Sequence, residues 1–317
     1  MKFGVHLGAR GVVSEPDSLT DVARKAEALG FEHLGISDHV FVVTQADSKY
    51  PYSESGKFYA QDTGICLEQL MTISFLAAAT TRIRLLTSVM VLPHRPPVLT
   101  AKMLVTADVL SKGRLTVGVG VGWNAEEIAL LSGPAFADRA RASDEYLQAF
   151  RELWSADRPK MSGAHVAFDN LIFAPKPVQK PNPPIWVGGE AAPALRRAGR
   201  LGDAWYPVAI NPGAPFDTPA LYAEGMNKVR AEAEKAGRDP TKIAAALLAI
   251  HCRIGDPVRG RDGGRLAFTG SAQAIVDDIG AFRERGLEHL IIGGDGSDVA
   301  GTIDRFEQFA TEVMAKF

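Results

Sequence analysis

Short apolar runs and helix-period segments alternate along this chain. Lys2–Leu7 reads as a strand, and a helix follows from about Asp17 to Leu29. Ser14-Glu15-Pro16-Asp17 marks the start of that helix and Gly30 its stop. His33–Ser37 is a second strand. A polar, aromatic loop from about Asp38 to Gly64 then leads into a helix from about Leu67 to Ala79. Ile83–Val89 is a third strand, and its helix starts after Pro96-Pro97 and ends near Leu110, ahead of Gly113. Leu115–Gly120 and a helix over about Asp138–Ser155 form the fourth unit.

The pattern breaks over about Ala156–Pro183. This stretch holds five prolines, alternating residues at His165-Val166-Ala167-Phe168, and then Leu171-Ile172-Phe173. It predicts a small hairpin insertion. Regular units resume with strands at Ile185–Gly188, Ala204–Val208, Lys242–His251 and Leu287–Ile292. Their helices are at about Pro193–Leu201, Pro219–Ala236, Ser271–Arg285 and from Val299 onward. Cys252–Gly270 is expected to be a mobile basic loop carrying Arg253, Arg259, Arg261 and Arg265. Eight successive units whose strands are too apolar to be one-sided predict an α/β fold, a (β/α)₈ TIM barrel. Its insertions fall after strand 2, before strand 5 and after strand 7. One domain over 1–317 is expected. An open doubly wound sheet is the alternative, but no G-x-G-x-x-G joins the first strand to the first helix.

Charge and composition narrow the function. Lys and Arg total 35 against 37 Asp and Glu, a formal charge of −2, so no nucleic-acid partner is expected. The longest apolar run, Ile243 to Ile250, has eight residues, whereas a membrane span needs about 20. Cys66 and Cys252 are in no metal or redox spacing. MKFGVHLGAR has no long apolar run behind its lysine. These features predict a cytoplasmic protein without a membrane partner.

Barrel enzymes place their chemistry at the C-terminal ends of the strands. That rule sets His33 and His289 at the wrong end and His165 in the insertion. It brings His6, His39, His94 and His251 to one rim. The carboxylate expected at that rim is Asp38, beside His39, and the absence of H-x-H argues against a metal centre. Gly118-Val119-Gly120-Val121-Gly122-Trp123-Asn124 removes a row of side chains. A flat ligand would then reach the backbone; tight packing against a neighbouring strand is the other reading. Gly188-Gly189-Glu190-Ala191 runs into a helix and, with Arg265, suggests a phosphate site. Phe41, Val42, Val43, Val89, Trp123, Trp205 and Tyr206 crowd the same rim. A wide apolar pocket with one anion anchor suits a large planar cofactor.

Six landmarks in order give the chain a resemblance to the bacterial-luciferase-like flavin and deazaflavin oxidoreductases. They are Gly30-Phe31-Glu32-His33 into Ser37-Asp38-His39; Thr80-Thr81-Arg82-Ile83-Arg84-Leu85 into Thr87-Ser88-Val89; Leu110-Ser111-Lys112-Gly113-Arg114 into Gly118–Trp123; Pro184-Ile185-Trp186-Val187-Gly188-Gly189; Gly202-Asp203-Ala204-Trp205; and Gly286-Leu287-Glu288-His289-Leu290. The resemblance implies a (β/α)₈ barrel and either F420 or FMN as cofactor. Ser-Asp-His at the end of strand 2 is similar to the F420 branch. There the pair would orient cofactor and substrate, with His39 as acid or base. The resemblance also makes Ser88-Val89 a non-prolyl cis peptide behind the ring; Gly122, Trp123 and Asn124 are expected to bind the cofactor, with Trp123 as an aromatic wall. It further places Gly188, Gly189, Glu190 and Ala191 on the phosphate side and Arg265 on a phosphate.

Departures from the family's sugar-phosphate dehydrogenases point to another substrate. Val43 stands where they have Trp, Trp123 where they have a Glu proton donor, and Asn211 near their Lys. An apolar or aromatic organic molecule is the expected substrate, in a pocket formed by His6, Phe41, Val43, His94 and Trp205. The resulting expectation is an F420-dependent oxidoreductase of the kind found in actinobacteria. An FMN-dependent monooxygenase and a non-catalytic F420-binding barrel are the alternatives. The second and third helices and the loop at Asp38–Gly64 resemble the family's dimer region, so a homodimer is expected.

Overall fold

Parallel strands covered on both faces have to be apolar throughout. The computed structural model, which describes residues 1–8, 11–58, 64–294, 296 and 298–317, follows that rule. Its strands β1 (Lys2–Leu7), β2 (His33–Ile36), β3 (Arg84–Thr87), β4 (Leu115–Gly120), β5 (Ile185–Gly188), β6 (Ala204–Tyr206), β7 (Ala244–Ala249) and β8 (His289–Gly293) are almost wholly buried. Each pairs in parallel with the next. Lys2 lies opposite His289 and Leu85 opposite Leu115, so the sheet closes on itself. The expected (β/α)₈ TIM barrel is the fold.

Around it lie α1 (Pro16–Ala28), α2 (Gln69–Ala79), α3 (Pro97–Leu110), α4 (Ala125–Leu130), α5 (Arg139–Ser155), α6 (Ala192–Leu201), α7 (Pro219–Lys235), α8 (Ala272–Glu284) and α9 (Val299–Glu312). Among the described residues no helix is long and apolar enough to cross a membrane.

The structure departs from the sequence pattern in four places that matter. The third strand stops at Thr87, the Ser88–Val89 peptide is cis, and Met90 and Val91 then pair with Val119 and Gly120. The short helix α4 has no apolar period long enough to read; the Asn124 side chain starts it by accepting from Glu127 N–H. The insertion before β5 pairs Met161–Ser162 with Ala167–Phe168, and Leu171–Phe173 forms no strand. The loop after β7, expected to be mobile, is folded back. Arg253–Ile254 pairs with Thr269–Gly270, and Arg265 makes two bonds of 2.7 and 2.8 Å to Asp278.

The glycine row of β4 meets a neighbour. A Cβ on Gly118 would lie 2.1 Å from the Thr87 carbonyl oxygen, one on Gly120 2.9 Å from Val89, and one on Gly122 2.7 Å from Val91. The row is filled by the strand beside it, so its glycines serve the β3–β4 seam and leave no flat slot for a ligand.

Leu86, Trp186, Tyr206, Leu248 and Ile291 fill the barrel interior. At the N-terminal end His33 and His289 pack on Trp186, each with ring centroids 4.8 Å away. Neither Nδ1 has a hydrogen-bond partner among the described residues. Burial, aided by His289, Arg84 and Lys2, pushes His33 well below the usual imidazole value. Burial near Lys2 and the N-terminus takes His289 down to about 4.

Both rings are therefore neutral when folded and take up a proton on unfolding. Their contribution is fully present above the unfolded value of about 6.5 and is lost as pH falls toward 4. Urea denaturation at pH 7 and pH 4 should show His289→Phe losing about 3 kcal/mol less than the parent chain. Equal losses would show that His289 does not set this slope.

Candidate active site

The β2 strand ends at Ile36, so the next residues lie on the rim. Asp38 points down into protein, where its side chain is fully buried. It accepts both terminal nitrogens of Arg95, at 2.8 and 2.7 Å, and the Val91 N–H at 2.8 Å. Burial alone would raise this carboxyl; the Arg95 guanidinium outweighs it and holds Asp38 below the usual carboxylate value. Arg95 also binds Glu68 at 2.6 Å, and Glu68 caps α2 by accepting from Met71 N–H. Both Asp38 oxygens are thus spent on fixing the segment that carries His39.

His39 faces the other way. Its Nδ1 is 2.9 Å from Glu127 Oε2, and the following Val40 N–H donates to Glu127 Oε1 at 2.9 Å. The ring packs on Phe58 and Trp123, with centroids at 4.5 and 6.2 Å. Phe41, Val42, Val43, Ser48 and Asn124 complete a narrow cleft over it. His94 lies behind: its Nε2 is 3.8 Å from the same Glu127 oxygen and its Nδ1 3.9 Å from Asp38. Burial lowers the His94 pKa despite the pull of those two carboxylates.

A second polar line crosses the barrel mouth. His6 Nδ1 is 2.9 Å from Ser88 Oγ, which is 2.9 Å from the Tyr206 hydroxyl. All three residues are buried, and burial raises the Tyr206 phenol. Opposite them, Glu190 turns back on its own rim. It accepts from Val208 N–H at 2.7 Å, from Asn211 at 2.8 Å and from the Tyr52 hydroxyl at 3.4 Å. Burial still keeps its carboxyl above the usual value. Gly188 ends β5, Gly189 turns with φ +105°, and Ala191 leads into α6 without a side-chain cap.

The structure thus brings together His39, Phe41, Val43, Trp123 and Asn124, with His94 behind and His6, Ser88 and Val89 beside the barrel mouth. It does not bring Trp205 there. Alternation along β6 turns Tyr206 inward and Trp205 outward, onto Phe216 and Tyr222 at 4.8 and 5.7 Å. Trp205 is a packing residue between barrel and helices. Nor is Arg265 an open cation; Asp278 and the Thr269 carbonyl hold it. His251 binds the Ala267 carbonyl at 2.9 Å. Glu127 was not anticipated, because the helix that carries it was not. The spacing Asn124-x-x-Glu127 is a capping-box signal that would have found both.

Comparison with known proteins supplies the family. The family model for luciferase-like monooxygenases matches residues 1–259. The chain belongs to the luciferase-like monooxygenase family. The family comprises oxidoreductases and monooxygenases that work with a flavin or with F420. This luciferase-like chain is 31% identical over 303 residues to an uncharacterized protein of Mycobacterium tuberculosis (strain ATCC 25618 / H37Rv), covering 93% of this chain and 94% of that one. It is 34% identical over 139 residues to an FMNH(2)-dependent dimethylsulfone monooxygenase of Pseudomonas putida, covering 43% of this chain and 38% of the relative. Among solved structures, an F420-dependent secondary alcohol dehydrogenase in complex with an F420–acetone adduct superposes with a TM-score of 0.77 at 20% identity, covering 99% of this chain and 98% of that one. At that identity the likeness is one of fold.

In this luciferase-like barrel the Asp38–Arg95 pair is almost wholly buried. Arg95→Ala leaves Asp38 buried without its counter-charge, and stability should fall by about 3–5 kcal/mol in urea denaturation. A loss below about 1 kcal/mol would show that Val91 N–H alone suffices to hold Asp38.

Proposed function

We propose that the protein is an F420-dependent oxidoreductase that moves a hydride between the deazaflavin and an apolar or aromatic small organic substrate. The observation that carries this reading is the His39 imidazole, anchored by Glu127, in a cleft walled by Phe41, Val42, Val43, Phe58 and Trp123. A proton-handling group among apolar walls suits a substrate with one polar reacting centre.

The residues at the barrel mouth fit a planar ring. Val89 packs with Tyr206, Val208 and Leu248 as an apolar floor, and His6, Ser88 and the Tyr206 hydroxyl line up beside it. When bound, the cofactor supplies a ring carbon that gives or takes the hydride. The chain's own part is to hold the ring with Val89 and Ser88, orient the substrate against Trp123 and Asn124, exclude water, and carry the matching proton on His39. Gly188, Gly189 and Ala191, ahead of the α6 N-terminus, are the phosphate side in this reading; Pro193 brings no N–H there, and the Ala194 N–H is bound to the Ala191 carbonyl at 2.8 Å. The Glu190 side chain braces that turn from behind.

Two observations favour a second reading, an FMN-dependent monooxygenase using reduced flavin and oxygen. One is the identity shared with the FMNH(2)-dependent relative. The other is that Arg265 is already paired, which removes one cation from the path of a long acidic tail. The anchored His39 speaks against a barrel that only stores its cofactor.

Parallel fluorescence titrations with F420 and FMN test the cofactor: tight F420 and weak FMN binding is the expected result, and the reverse order would select the second reading. His39→Ala should lower turnover about 10²–10⁴-fold while cofactor affinity stays near the parent value. Unchanged turnover would remove His39 from the chemistry.

A second copy of the chain is the proposed partner. The α2 and α3 helices are apolar nearly all round; one side faces the barrel, and Met71 and Leu99 remain 66% and 55% exposed on the other. A groove between α1 and α2, walled by Leu19, Leu67, Met71 and Phe75, lies on the same outer side. Light scattering should find a dimer, and Met71→Glu should shift it toward monomer; a parent chain that is already monomeric would reject this face as the interface.

A further inference from the structure

We infer that Glu127 is the positioning residue for His39: it fixes the proton on Nδ1 and so leaves Nε2 as the nitrogen that exchanges a proton with the substrate. The inference deepens the reading above, since it rests on His39 being the proton-handling group.

The geometry leaves one consistent assignment. The two Glu127 oxygens have different tasks. Oε1 accepts the Val40 N–H at 2.9 Å, and Oε2 lies 2.9 Å from His39 Nδ1. An ionised carboxylate offers acceptors only, so the imidazole supplies the hydrogen on Nδ1. Neutral imidazole has a single N–H, and placing it on Nδ1 makes Nε2 a lone-pair acceptor. Gripping both the ring and the next backbone N–H also fixes the direction of the side chain.

Glu127 itself has little freedom. Its side chain is 1% exposed, and its backbone N–H is bound by the Asn124 cap at 2.9 Å. The groups facing it are His39, Val40 N–H and His94, whose Nε2 at 3.8 Å is beyond hydrogen-bond reach. Proton transfer is then a matter of one nitrogen. In substrate oxidation the Nε2 lone pair would take the hydroxyl proton, and the hydride on the same substrate carbon would go to the deazaflavin held at the barrel mouth. The imidazolium so formed keeps its Nδ1–H on Glu127. In reduction the same proton returns from Nε2 to the substrate oxygen.

Glu127→Gln inverts this arrangement with almost no change in shape. Its amide oxygen continues to accept the Val40 N–H, which turns the NH₂ group toward His39. Nδ1 must then accept, and the proton moves to Nε2. Nitrogen-15 spectra of ring-labelled protein, with His39 assigned from the His39→Gln variant, read the tautomer directly and need neither cofactor nor substrate. The expected result is an Nδ1–H tautomer in the parent and an Nε2–H tautomer in Glu127→Gln. With F420 and a substrate, kcat should fall 10–100-fold with KM little changed. The same tautomer in both proteins would overturn the proposal, as would an inverted tautomer with full turnover. If the parent shows no F420-dependent turnover while the tautomers invert as expected, the function assigned to the cleft fails and the Glu127–His39 assignment stands. Should Glu127→Gln not fold, a parent spectrum with the proton on Nε2 would by itself refute the assignment, and one with it on Nδ1 would uphold it.

Discussion

The seam between β3 and β4 is the constraint on which the site depends. A barrel closes only where neighbouring strands approach to hydrogen-bonding distance, and here the approach leaves no room for a side chain at Gly118. The Thr87 hydroxyl binds the Gly118 carbonyl at 2.7 Å across that contact. Immediately beyond it the third strand breaks at Ser88–Val89, and Met90–Val91 resumes against β4. That short resumption delivers Val91 N–H to Asp38 and places His94 and Arg95 beside the end of β2. The other side of the seam delivers Asn124 and Glu127. The two carboxylates that flank His94 and the arginine that neutralises one of them thus converge on one junction.

The rim is organised as a row of alternating charges and imidazoles. Glu68 and Asp38 flank Arg95, and Asp38 and Glu127 flank His94, with His39 at the open end. Each buried carboxylate has a cation or an N–H donor, as burial requires. The row runs from the outer α2 face to the cleft. Of the two imidazoles in the row, His39 keeps 15% of its side chain exposed and His94 only 2%. In the proposed reading, that difference makes His39 the histidine of the row that meets a substrate.

Much of this was legible in the residues. Strand period, glycine and proline punctuation and the count of units gave the barrel, because parallel strands covered on both faces have no alternative to being apolar. The rim histidines followed from their place at strand ends. Side-chain direction at strand ends was harder: Trp205 and Tyr206 are adjacent, and a one-residue difference in parity sends one to the helices and the other to the mouth. Arg265 was misjudged for a related reason. A sequence shows that a cation is present and hides its partner thirteen residues on, Asp278. The glycines of β4 allowed two readings, and the nearness of Thr87, Val89 and Val91 decided for strand packing.

The sequence by itself determined the class of fold and the family, and it singled out His39 as a candidate, because these rest on periodicity and on local motifs such as Ser37-Asp38-His39. Only the tertiary structure decided which partner each of those residues has. Asp38 and His39 are neighbours in the chain, yet one is bound to Arg95 fifty-seven residues away and the other to Glu127 eighty-eight residues away. Pairings of that kind depend on which strands close the barrel and on where a six-residue helix begins. No local pattern encodes such distances, and the division of labour between the two residues appears only when the seam is formed.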